Sequence, residues 1–441
     1  MQRELNKKEA NKIFDAHVEQ LDSKFQAGVL NQLLREQLTP TPRSEISQVN
    51  EKENEVDNIP SAAVFAVEKI LNKTWSHRSE LHSSLSALFY LQKEFYQNLN
   101  IDEESRKLQY ISKSGLVLSS DNCITTLLDD LRVNAYIRGI DQAIRAMFDK
   151  QKNIIHLVYP ACGPFAPLLF PLLAYYKQKS LFTSQLKVTL IDLQAAAVKT
   201  LEALVLEMGV EEYIQDILCQ DALTYQAPES SIDILVLEAM QHGFSREGHF
   251  SIAKHFSSMV CEMGYMIPEK ICVSAVLNRA QREYVDQWKD ADELSQQNMD
   301  LSIQAERAHL GEILSLTRQS LKDLPERALD ENTTLIECGK VNIPLMPKNG
   351  DEQTLLLCTQ IQVFNDEYIR EYDSGISHPL PDQQVCINFV PKDDRPGDLL
   401  LKSGDGIQFF YRLNGLPGFL ATWCEGENSA TLKLKGAAVY D

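Results

Sequence analysis

Three positions along the middle of this 441-residue chain place small or acidic residues directly after short apolar runs. The run Ile154–Tyr159 ends in the turn Pro160-Ala161-Cys162-Gly163-Pro164, the run KVTLID ends in Asp192, and a third candidate run near 214–218 is followed by Gln220-Asp221. If the runs are strands of a parallel sheet, all three lie at strand carboxyl ends, where such sheets bind ligands. An acid closing the second strand suits a ribose diol, because one carboxylate accepts hydrogen bonds from both hydroxyls. Asp221 is then placed to accept from an adenine amino group, and Ala161 and Gly163 are small enough to let backbone approach the nucleoside. Taken singly, each acid reads as a helix cap or a loop acid. No GxGxxG follows any strand, so dinucleotide binding is disfavoured, whereas a nucleoside without phosphates needs no phosphate cradle. A fourth run, IDILVLE, ends in Glu238, and Glu247 follows nine residues later. Their plain reading is a strand-end acid and a helix-start acid that stabilises the helix dipole.

The elements that must position these residues alternate. A helical apolar segment spans 166–177, a helix 195–209, a strand 232–238 and a helix 247–263, and YMIPEKICVSAVL runs over 265–277. Strands alternating with helices at this spacing predict βαβ units and a parallel sheet. Upstream, 1–37 reads as a helix and 39–58 as a polar linker. Residues 59–99 form a helical stretch with Leu81, Leu85, Leu88 and Phe95 on one face, and a further helical stretch spans 115–150. His77 and His82 read as exposed or capping residues. Residues 279–323 read as helical and polar. Beyond 330, short alternating runs (TTLIEC, TLLLCTQIQVF, QVCINFV, DLLLK, IQFFYRL, FLATW, ATLKLKG) separated by Gly and Pro predict an antiparallel barrel or sandwich, with Trp423 in its core.

The stretch around the two glutamates resembles the protein arginine methyltransferases. Glu238 and Glu247 bracket AMQHGFSR as that family's double-Glu loop does, after the same strand. GYMIPEKICVSAVL resembles the strand leading into the family's β-barrel, and Asp129, Arg132 and Tyr136 in DDLRVNAY match its D-x-x-R-x-x-x-Y pattern. The likeness covers roughly 115–277 by motif and 330–441 by architecture. It implies a class I methyltransferase using S-adenosylmethionine, with a Rossmann-like domain at 111–277, a helical arm at 278–325, a β-barrel-like domain at 326–441 and an N-terminal helical region at 1–110. Glu238 and Glu247 would hold the acceptor. Asp129, Arg132, Tyr136, Ala161, Gly163, Asp192 and Asp221 would form the donor site, with Arg132 on the donor's methionine carboxylate and Tyr136 closing the pocket. No metal is implied. The glycine-rich turn of the class keeps only Gly163, and the family's Thr-His-Trp loop corresponds to Ser377-His378-Pro379. That loop puts His378 at the acceptor pocket, an exposed loop histidine being the alternative. The family's dimerisation arm corresponds to 279–323, where Tyr284 and Trp288 could anchor a homodimer or pack on their own domain.

The chemistry makes sense of paired carboxylates. A guanidinium is a delocalised cation and a poor nucleophile, and the sulfonium donor is a cation too. Two unit charges about 4 Å apart at an effective dielectric near 20 repel by roughly 4 kcal/mol. Two glutamates offset that repulsion and orient one nitrogen. The acceptor is then an arginine-containing protein or peptide, or a small cationic molecule. The alternatives are a small-molecule methyltransferase on this fold and a catalytically silent binding scaffold.

Composition agrees. The formal net charge of −19 attracts cations and repels a phosphate backbone, so no nucleic-acid partner is expected. No apolar run spans a bilayer, the first residues lack a signal-peptide core, and nine scattered cysteines without a CxxC pair suit a reducing, cytoplasmic setting.

Overall fold

The computed structural model describes residues 57–286, 301–346, 353–392 and 395–426. The expected helix over 1–37, most of the linker at 39–58, Trp288 and the run ATLKLKG lie outside the described residues.

Helix α1 (Ile59–Asn72) starts at Asn58, whose side chain accepts from the Ser61 amide, and stops where Lys73 turns left-handed. Helix α2 (Arg78–Asn98) buries Leu81, Leu85 and Leu88 at the spacing the sequence predicts. His77 occupies its N-cap without a side-chain bond. His82 is not a free surface residue: its Nδ1 lies 3.2 Å from Asp130, whose fully buried carboxylate also takes Arg78 Nε at 2.9 and 3.1 Å. Burial would raise the Asp130 carboxyl, but the His82 and Arg78 bonds hold it below its ordinary range. A helical reading of 115–150 is right only for α3 (Asp130–Asp149). Ahead of it come a hairpin of β1 (Tyr110–Ile111) and β2 (Leu116–Val117) and short turns of helix.

The central sheet has five parallel strands in the order β5-β4-β3-β6-β7: β3 (Ile155–Pro160), β4 (Leu186–Asp192), β5 (Ile214–Cys219), β6 (Ile232–Val236) and β7 (Val260–Ile267). Helices α4 (Phe170–Gln178), α5 (Ala195–Met208) and α6 (His249–Phe256) connect them, giving the expected Rossmann-like arrangement. Strand β6 is buried at every position and β3 at all but His156, as a strand covered on both faces requires. The helix expected over 247–263 is shorter, because its last residues belong to β7.

The expected boundary at 277 also moves. Strand β7 stays in the parallel sheet, the chain turns at Pro268, and β8 (Lys270–Asn278) enters a second sheet. The predicted helical arm is corrected more sharply. Its stretch Ala308–Thr317 is strand β9, antiparallel to β8. Register shifts at Val273/Ser274 and Ala275/Val276, and Gly311 at φ +140°, break the two-residue alternation, so Leu310, Ile313, Leu314 and Leu316 mimic helical spacing. Tyr284 packs on its own sheet, beside Val276, Leu356 and Cys358, and bonds the Pro379 carbonyl at 3.2 Å.

The remaining strands are β10 (Glu326–Ala328), β11 (Thr334–Asn342), β12 (Gln353–Phe364), β13 (Glu367–Ile369), β14 (Leu380–Ile387), β15 (Leu399–Leu401), β16 (Gly406–Arg412) and β17 (Gly418–Cys424). They form, with β8 and β9, a six-stranded and a four-stranded sheet that are antiparallel except where β14 pairs with β15. Trp423, expected in the core, is 57% exposed on the edge strand β17. Among the described residues no helix is long and apolar enough to cross a membrane.

Helix α3 joins the two units. Arg138 pairs with Glu367 at 2.6 Å, and a Cβ on Gly139 would lie 2.8 Å from Val363 Cγ1 and 3.2 Å from Phe364 Cβ. Gly139→Val should therefore overpack this junction and lower the urea midpoint, costing about 1–3 kcal/mol with little change in slope. Equilibrium urea unfolding checks it.

A cleft of acids at the carboxyl ends of the sheet

After β3 the chain reverses through Ala161 at φ +51° and Gly163 at φ +67°. This left-handed turn brings the Gly163 N–H to Asp192 Oδ2 at 2.9 Å, while Asp192 Oδ1 accepts from the Gln194 amide at 2.8 Å. The last residue of β4 is thus tied to the turn after β3. Burial raises the Asp192 carboxyl despite those backbone bonds. Asp221, after β5, lines the same cleft and caps the short turn Ala222–Thr224 through Leu223 N at 2.9 Å. Its capping and cleft-lining roles coexist.

Glu238 follows β6, and the loop after it closes on itself through reciprocal backbone bonds between Gln241 and Ser245. Gly243, Phe244 and Arg246 have positive φ. The second unit holds this loop. A Cβ on Gly243 would meet Leu380 Cδ2 at 2.5 Å, Phe244 stacks on Tyr411 with centroids 5.3 Å apart, and the Arg246 amide donates to the Pro417 carbonyl at 2.7 Å. Glu247 thereby returns to the cleft, where the Glu238 charge bears on it. Burial first, then the Glu238 charge, pushes the Glu247 carboxyl up to about 8; a hydrogen bond from Gln241 opposes this. Burial also raises Glu238, against the pull of Arg132.

Helix α3 delivers the cation. Arg132 Nη2 lies 2.8 Å from Asp129 Oδ2 and Nη1 3.1 Å from Glu238 Oε2, leaving Nε buried without a partner among the described residues. Burial disfavours the charge, but Asp129 and Glu238 outweigh it and keep the guanidinium protonated. Tyr136 does not line the cleft. It is fully buried and its hydroxyl reaches the Leu237 carbonyl at 3.5 Å, bracing the end of β6 from below. His378 is half-buried beside Tyr372, with ring centroids 5.1 Å apart. Its loop is fastened to the start of α3 because Asp129 Oδ2 accepts from Ser374 Oγ at 2.6 Å and from Gly375 N at 3.3 Å. Burial lowers His378, with Asp129 opposing and Arg78 assisting. His242 is lowered to about 4 by burial, Arg246 and His378. Neither imidazole is an acid near neutral pH.

The hairpin β1–β2 roofs the cleft. Gln194 Nε2 donates to the Leu108 carbonyl at 2.7 Å and to the Leu118 carbonyl at 3.0 Å, and the Leu116 amide donates to the Arg246 carbonyl at 2.7 Å. Gly115, at φ +155°, sits where a Cβ would lie 2.7 Å from Gly248 N. The enclosed space is about 110 Å³. Sequence reasoning missed Gln194 and Gly115. A glutamine standing at the N-cap of α5 without capping it was a signal, since Ser, Thr, Asp or Asn is the ordinary choice there.

The raised Glu247 has a thermodynamic consequence. Folded protein keeps this proton up to about pH 8 whereas the unfolded chain loses it near pH 4.5, so its burial costs more stability as pH rises through that window and no more beyond it. Glu247→Gln should raise the melting temperature, with the gain over the parent growing from pH 5 to pH 8 and then levelling. Calorimetric melts across that range test the sign.

No family model matches the chain, and no curated protein matches it. Among solved structures it is similar to the PRMT1 enzyme–prozyme heterotetrameric complex with AdoHcy from Trypanosoma brucei. That match has 11% identity, covers 69% of this chain and 98% of that one, and has a TM-score of 0.37. It is also similar to PRMT6 with SAH, at 12% identity, covering 69% of this chain and 99% of that one with a TM-score of 0.40. A second PRMT6 structure matches at 12% identity over 67% and 98%, with a TM-score of 0.39.

Proposed function

We propose that the chain transfers a methyl group from S-adenosylmethionine to a guanidinium nitrogen, with Glu238 and Glu247 gripping the acceptor. One observation carries this reading: Glu238 and Glu247 are both half-buried, and the charge of Glu238 disfavours ionisation of Glu247 more than the neighbouring cations favour it. Arg132 is already divided between Glu238 and Asp129. A cationic acceptor supplies the missing charge and two directed N–H donors. On its arrival Glu247 gives up its proton, and both carboxylates can then hold the fork so that one nitrogen faces the donor. The proton lost from the nitrogen on methylation can return to Glu247, whose affinity for it is already raised.

The residues around the nucleoside cleft fit the donor. Asp192 keeps lone pairs beyond its two backbone bonds for ribose hydroxyls. The buried, unpartnered Arg132 Nε would meet the donor's carboxylate. Asp221 would accept from the adenine amino group, and Ala161 and Gly163 leave room above the first strand. When bound, S-adenosylmethionine supplies a methyl group activated by its sulfonium. His378 stands on the acceptor side as a neutral hydrogen-bonding group. A small cationic acceptor is favoured over a peptide by the Leu116–Arg246 bond, which ties the roof down beside Glu247. A reducing intracellular setting and a homodimer belong to the same proposal; within the chain Tyr284 packs on its own sheet.

Calorimetric titration with S-adenosylhomocysteine should show binding that Asp192→Ala weakens about 10- to 100-fold, the loss of a charge-assisted hydrogen-bonding pair. An undetectable heat with the folded parent would refute the donor assignment. With labelled donor and a guanidinium acceptor, Glu247→Gln should cut transfer about 100-fold or more. The parent's apparent acceptor affinity should climb toward pH 8 and then flatten. A pH-independent profile, or transfer untouched by the substitution, would remove the clamp.

A further inference from the structure

Ser120 opens the short helix Ser120–Cys123, on the segment running from the roof to α3. It is 1% exposed and lines the cleft, yet its hydroxyl has no hydrogen-bond partner among the described residues. Local structure does not need it. Ser119 provides the cap, its Oγ accepting from the Asn122 amide at 3.3 Å. One turn further, Cys123 closes on the turn after β3, since a Cβ on Gly163 would stand 3.5 Å from Cys123 Cβ. The charges of Asp192, Glu247, Glu238 and Arg132 all bear on the Cys123 thiol. The segment carrying Ser120 therefore forms a wall of the cleft that Asp192 and Glu247 also line. A buried hydroxyl without a partner destabilises a fold, and buried polar groups lacking one concentrate where a ligand completes them.

We infer that Ser120 is a ligand-binding residue whose hydroxyl hydrogen-bonds a polar group of a nucleoside–amino-acid ligand held over Asp192. This rests on the proposed donor site. No family motif noted in the sequence includes this position, and the inference stands on the orphaned hydroxyl and its place in the wall.

The test exploits opposite signs. Ser120→Ala removes a group that is unpaired in the free protein and paired in the complex. Free Ser120→Ala should melt at the parent's temperature or above it, while its S-adenosylhomocysteine affinity falls about five- to tenfold, the worth of one hydrogen bond. Ser119→Ala, which removes the cap, should show the reverse pattern: a lower melting temperature with affinity nearly unchanged. 5′-Methylthioadenosine, which lacks the amino-acid tail, locates the contact. Loss with S-adenosylhomocysteine alone puts it on the tail, and loss with both puts it on the nucleoside. Unchanged affinity in Ser120→Ala, or a fall matched by a lower melting temperature, overturns the inference. Failure of the parent to bind S-adenosylhomocysteine overturns the donor reading and takes this one with it.

Discussion

Glu238 and Glu247 are half-buried carboxylates, the charge of the first disfavours ionisation of the second, and the structure around them is arranged about that repulsion. In a medium of low polarisability neither burial nor proximity favours ionisation of both, and one of the pair keeps its proton to about pH 8. Arg132 stabilises Glu238 directly but is shared with Asp129, which in turn accepts from Ser374 and Gly375. Negative charge is therefore stored at one spot, restrained by a chain of hydrogen bonds reaching from α3 to the loop that carries His378.

Holding that pair in place needs both structural units. Strand β6 fixes Glu238, but Glu247 is positioned by a loop with three left-handed residues, Gly243, Phe244 and Arg246. Such conformations persist where their surroundings determine them. The surroundings here are Leu380, Tyr411 and Pro417, all from the antiparallel sheets or the turns joining them. The second unit acts as the mould of the loop that carries Glu247. The junction at α3, with Gly139 against Val363 and Phe364, is closely fitted as well.

The roof connects the two halves of the site. Gln194 follows the acid of β4 and bonds the carbonyls on either side of the β1–β2 hairpin, while Leu116 of the same hairpin bonds Arg246 next to Glu247. A movement that opens one side must disturb the other. The Asp192 side and the Glu247 side of the cleft are thus linked through the hairpin, by the Gln194 side chain at one end and a backbone hydrogen bond to Arg246 at the other.

What the chain order alone determined is the part of the protein written in short periods. The parallel strands, the acids that end them, the double-Glu spacing and the helix bearing Arg132 follow from runs of a few residues, because a strand buried on both faces must be continuously apolar and a strand end must break that pattern. What only the tertiary structure decided depends on contacts between distant segments. Strand β9 read as helical because bulges against β8 broke its alternation. Trp423 looked like core, yet lies exposed on an edge strand. Tyr136 braces β6 instead of lining a pocket, and Gln194 and Ser120 acquire their places only when residues 108–123 fold across the sheet. Burial, and with it the proton on Glu247, is a property of packing density around a point. No local spacing encodes it.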